Sequence, residues 1–166
     1  GHLGFMSVEG YGRIDCGAQG PPPRPTPAAG AAPAGGRGGA APPDPAKMYG
    51  VRIFDITDPR APRQVAAVQT CRGSHTHSIV TDPKDKDNIY IYVSGSSGIR
   101  SAEEKAGCIS DPNDPKTSTF GIDVIKVPLA HPEQAAEVNH AYIFMDANPG
   151  ELASLHGPGQ GTAGPN

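Results

Sequence analysis

Apolar and polar positions alternate along this chain in short blocks, and each block predicts a β-strand. His2 to Val8 forms the first, and Tyr11 to Ile14 can extend it past a Glu9-Gly10 turn. Val51-Arg52-Ile53-Phe54-Asp55-Ile56 alternates and is rich in β-branched residues, the pattern of a strand with one buried face. Thr57-Asp58-Pro59-Arg60-Ala61-Pro62 then carries turn chemistry, because Asp bonds back to its own backbone and Pro fixes φ. Gln64 to Thr70 predicts the next strand. His75 to Thr81 and Ile89 to Ser94 predict a hairpin across Asp82 to Asp87. Gly95 to Thr119 is polar, holds two Asp-Pro steps, and has room for one helical turn at Ser101 to Ala106. Gly121 to Val127 predicts a strand, Pro128 to Pro132 a turn, and Ala135 to Phe144 a last strand.

Two of these blocks repeat. Gly50-Val51-Arg52-Ile53-Phe54-Asp55-Ile56 aligns with Gly121-Ile122-Asp123-Val124-Ile125-Lys126-Val127. Each is followed by a Pro-containing turn and a Gln/Ala/Val strand, and each is preceded by an apolar strand and a long insertion. The spacing exceeds the roughly 40–50 residues of a four-stranded propeller blade. The insertion at 95–119 accounts for the excess. The repeat unit is then four strands in an up-down meander, the blade of a β-propeller. The expected fold class is all-β: one complete four-stranded blade, residues 71–145, and three strands of the preceding blade, residues 1–16 and 48–70. A propeller closes with about four to eight blades, so the chain is expected to be a fragment whose partners are the missing blades. The alternative is a small self-contained antiparallel sheet.

Ile53-Phe54-Asp55-Ile56-Thr57-Asp58-Pro59, with Pro62 and Val65 behind it, resembles the repeat of the LVIVD-repeat family. The likeness continues through Cys71 to His77, Tyr90 to Gly95, and Ile122 to Leu129, and covers roughly residues 2–16 and 48–145. It implies a secreted or periplasmic bacterial propeller whose biochemical role is largely undefined. A looser likeness, at the level of the fold, is to the methanethiol oxidase/selenium-binding proteins. It implies part of a metal-dependent propeller enzyme.

Composition narrows the picture further. Gly 22 and Pro 19 together approach the quarter or so of a chain at which low complexity begins, and they concentrate in two places. Residues 17–47 cannot bury enough apolar surface to offset their ordering entropy, and are expected to be a disordered insertion; Pro22-Pro23-Arg24-Pro25 could alternatively serve as a Pro-rich ligand. Residues 146–166 are expected to be a flexible tail. A net charge of -3 leaves no concentrated basic surface for nucleic acid. No apolar run approaches the roughly 20 residues that span a bilayer. The start has no secretory leader and no initiator Met, and reads as cut from something longer.

In an up-down blade, the loop entering the first strand and the loop between the second and third strands lie at one end. Cys71 is in a loop of the first kind; Cys16 and Cys108 are in loops of the second kind. Cys71 and Cys108 flank one blade and are expected to form a disulfide, with the partner of Cys16 missing; the alternative is three free thiols. A disulfide implies an oxidising, extracellular or periplasmic compartment. His75 and His77, two apart, share a strand face beside the expected channel mouth and could hold a transition metal in the full-length protein. The bland alternative is that one packs between blades and the other bonds to a loop carbonyl. The Gly95–Thr119 loop with Arg72, Ser74 and Arg100 forms the expected binding face, for a protein or small-molecule ligand left open. No catalytic constellation is visible, and no activity is expected of the fragment itself. His131, His140 and His156 read as isolated surface residues.

Overall fold

A computed structural model describes residues 1–15, 43–111, 114–119 and 121–142. Cys16, most of the 17–47 insertion with Pro22 to Pro25, Phe144, His156 and the 146–166 tail lie outside these. Seven strands are present among the described residues: β1 (Leu3–Arg13), β2 (Lys47–Asp55), β3 (Arg63–Gln69), β4 (Thr76–Asp82), β5 (Asp85–Ser94), β6 (Ile122–Pro128) and β7 (Ala136–Ala141). A 3-10 turn at Pro132–Gln134 joins β6 to β7. The protein is all-β and built of antiparallel meanders: one sheet in the order β1-β2-β3, the other β4-β5-β6-β7.

Several bounds differ from the expected ones, each for a local reason. β1 runs through the Glu9-Gly10 position without turning. Gly10 (φ 83) absorbs the irregularity, and the register with β2 slips between Glu9 and Arg13. The β4–β5 connection is tighter than expected, because Asp82 pairs with Asp85 and the Asp82 carboxylate accepts the Lys84 N–H at 2.8 Å. Asp85 in turn accepts from Asn88 Nδ2 and the Tyr90 hydroxyl, which draws residues 85–88 into the strand. β4 starts at Thr76, leaving His75 in the loop. At 101–105 the chain makes a single helical turn, with Lys105 N–H donating to the Ser101 carbonyl.

The two sheets share one core: Val51 and Ile53 from β2, Val68 from β3, Ile91 and Val93 from β5, Ile125 and Val127 from β6. Leu3, Phe5, Val65, Ala66 and Ile89 pack around it. Period-2 alternation puts each pair on one face, and burial of each such side chain is worth about 1.5–3 kcal/mol. The faces used are not equivalent ones. Val51 and Ile53 of β2 align in the repeat with Ile122 and Val124 of β6. Yet the β6 residues in the core are Ile125 and Val127, which align with Phe54 and Ile56. Each sheet therefore meets the other with the opposite face of the repeat, as stacked copies do in a head-to-tail array.

The core stops short of β4. Ile79 and Val80 point to opposite faces of that strand and are 52% and 40% exposed, so β4 beyond His77 is covered on neither side. Tyr92 and Val138 are also exposed.

Candidate functional site

Two polar clusters stand out, one at the start of β4 and one at the β6–β7 edge. The first is assembled by the loop between β3 and β4. Thr70 is fully buried and donates to the Gly73 carbonyl at 2.9 Å. Gly73, at φ 72 and against the β1 backbone, lets the chain turn so that Ser74 N–H reaches the Val8 carbonyl at 3.0 Å. Ser7 Oγ then lies 2.8 Å from Ser74 Oγ and 2.7 Å from His77 Nδ1. Two residues on, along the same face of β1, Glu9 accepts from the Ser96 N–H and hydroxyl and lies 3.1 Å from His75 Nδ1. Partial burial works against the Glu9 charge, but the Ser96 donors and His75 outweigh it and hold the carboxyl below the usual glutamate range.

His75 and His77 thus stand beside one face of β1, each engaged with a different residue of it. Arg72 donates to the Ser97 carbonyl at 3.0 Å and so clamps the two loops together. Ser74 and Arg100, expected on an open face, are buried, at 1% and 3% exposure. Arg100 stacks its guanidinium over Tyr49, 5.0 Å from the ring centre, beside Glu104. It holds the long loop against the start of β2 and is out of reach of a ligand.

Cys71 and Cys108 are joined by a disulfide with an S–S distance of 2.09 Å. Around it Arg100 N–H donates to the Cys71 carbonyl, and Ser118 N–H to the Ile109 carbonyl. The 95–119 loop is consequently pinned at several points to the start of β4. No family model, curated protein or solved structure matches this chain.

The second cluster was not expected. His140, read from the sequence as an isolated surface residue, lies across from Asp123 with Nδ1 2.5 Å from Oδ1, and its side chain is only 21% exposed. Asp123 is buried at 5%. Glu137 joins them because β7 is bulged. Asn139 pairs with Val124 but Glu137 pairs with Ile125, so Val138 is an extra residue. Without it Glu137 and His140 would face opposite sides; with it both share the face of Asp123. One ligand-type atom from each of Asp123, Glu137 and His140 lies within 4.8 Å of the others, and among the described residues this is the one such group of three. Burial, then the Asp123 charge, pushes the Glu137 carboxyl up, only partly countered by Lys105 Nζ at 3.2 Å and by His140.

The ring of His140 packs on Gly121, where a Cβ of any other residue would collide with Nε2. Tyr142 meets the ring edge-on at 4.8 Å. Burial, with Asp114 and Asp123 behind it, pushes the Tyr142 phenol up. A cleft of about 380 Å³ opens here, lined by Cys71, Lys105, Lys116, Ser118, Glu137, His140 and Tyr142 among others. A larger one, about 570 Å³, lies at the opposite end beside Asp55 and Arg63, which already pair with each other at 3.3 Å.

One sequence signal pointed toward the second cluster. The third position of the repeat is charged in both copies, Arg52 and Asp123, inside strands otherwise made for a core. Both residues are buried, and a buried charge requires partners.

Proposed function

We propose that this chain contributes one complete blade and three strands of the preceding blade to a β-propeller of the LVIVD-repeat kind, and that the propeller acts as a binding scaffold in an oxidising compartment. The observation that carries the reading is the head-to-tail stacking. The first sheet offers the face of Val51 and Ile53, and the second receives it on the opposite face of its own repeat. A heterologous contact of this kind leaves a free copy of each surface at the two ends, and a ring is one way to satisfy both. The exposed Ile79 and Val80 fit the same reading, since an innermost strand is covered only when blades flank it on both sides.

The disulfide supports an extracellular or periplasmic setting. Among the described residues, no helix is long and apolar enough to cross a membrane. The pinned 95–119 loop beside Arg72 supports a binding role, because a long loop fixed to a rigid sheet presents side chains at low entropic cost.

Electron microscopy of the full-length protein tests the architecture. A disc with a central channel is the expected image. A rod of stacked sheets, or a two-sheet sandwich with nothing further against Val80 and Tyr92, would overturn it.

A further inference from the structure

The edge where β6 meets β7 collects an imidazole and two carboxylates in the second sheet, two strands across from His77 in the row that runs from His77 through Val93 to Asp123 and His140. The local construction is specific. Asp123 is held buried at the start of β6, the Val138 bulge rotates Glu137 onto the same face, and Gly121 gives the His140 ring a seat that no side chain could share. That seat turns Nδ1 toward Asp123 and leaves Nε2 buried with no hydrogen-bond partner. Asp123 and Glu137 repel each other in a half-dry setting. Lys105 reaches one oxygen of Glu137, and that oxygen forms no hydrogen bond of good geometry.

We propose that Asp123, Glu137 and His140 form a binding site for a divalent transition-metal ion, with zinc the best match. One nitrogen and two carboxylate oxygens suit Zn²⁺, which binds such groups at about 2.0–2.2 Å in tetrahedral geometry. The imidazole argues against calcium and magnesium, which take oxygen ligands. Three atoms within 4.8 Å of one another need only small side-chain rotations to meet at a common ion. Glu137 and His140 border the cleft that Lys116, Ser118 and Tyr142 also line, which supplies an entry path and room for water. Lys105 competes with the ion for Glu137, and its stem can swing outward because the side chain is a quarter exposed. The site is independent of the propeller reading, since all three ligands lie on one pair of adjacent strands.

The test is equilibrium dialysis of the chain against Zn²⁺, followed by metal analysis. The expected result is one ion per chain. His140→Ala and Glu137→Gln should each weaken binding at least tenfold, as loss of a ligand does. Lys105→Gln should tighten it several-fold by removing the competing cation. The double variant His75→Ala, His77→Ala should bind as the parent does. Because His140→Ala leaves a gap over Gly121, the unsubstituted chain gives a second readout: nuclear magnetic resonance during the titration should move His140 and Tyr142 signals first. Absence of stoichiometric zinc, binding that survives both ligand substitutions, or zinc-induced shifts centred on His75 and His77 would overturn the proposal.

Discussion

Gly50 sits in the middle of β2 at φ 137, and a Cβ there would run into the Val68 carbonyl oxygen of β3. A left-handed conformation and a backbone obstacle coincide, so neither a rotamer change nor a shift of a flexible neighbour relieves Gly50→Ala. The expected loss is about 2–4 kcal/mol, seen as a fall in the urea midpoint at unchanged slope; an unchanged midpoint would refute it. Glu137 is a residue whose effect depends on pH. Burial and Asp123 raise its folded-state pKa above the ordinary 4.5. The folded chain then keeps the proton longer than the unfolded one, and stability falls as pH rises from about 4.5 through that raised value. Glu137→Gln cannot titrate. With a chelator present to exclude metal, it should gain stability relative to the parent across that window. Parallel stability curves for the two proteins would contradict the assignment.

At the scale of the element, the 95–119 loop behaves as part of the frame. The disulfide spans a sequence separation of 37, and a closed loop of that length restrains the unfolded chain by about 3–4 kcal/mol. Cys71→Ser with Cys108→Ser should lower stability by that amount. It should also free the Arg72–Ser97 clamp, so trypsin should cut first at Arg100 or Lys105. Cleavage elsewhere, with the loop still protected, would mean that the backbone bonds suffice without the sulfurs. β7 shows the converse, an element whose irregularity decides which side chains meet. One extra residue, Val138, converts an alternating strand into a platform with two acidic or basic side chains on one face.

At the scale of the molecule, β4 is the strand that the shared core does not reach. Ile79 is half exposed, so Ile79→Ala should cost this chain less than about 1 kcal/mol, whereas a fully covered isoleucine costs about 2–5 kcal/mol. If the proposed further blade lies over the strand in a longer form of the protein, that form should show the larger figure, and comparing urea unfolding with this chain checks it. The meanders were legible in the sequence because alternation and turn residues are local signals: Val51 to Ile56 and Gly121 to Val127 announce themselves. The Cys71–Cys108 pairing followed from meander geometry. The second cluster did not, because it depends on a single inserted residue that shifts register within β7, and periodicity cannot register one unpaired position. Arg100 was misplaced on an open face because a charge in a loop looks solvated, until Tyr49 is known to lie beneath it.

Among the described residues, four of the five strand pairings contain a slip; β5 against β6 runs unbroken from Asn88–Pro128 to Val93–Asp123. That pair also carries four of the seven core side chains. Its amide protons should be the slowest in the protein to trade with deuterium, outlasting those of β1 and β4 by orders of magnitude. The outer strands can then open and reclose around a spine that stays shut.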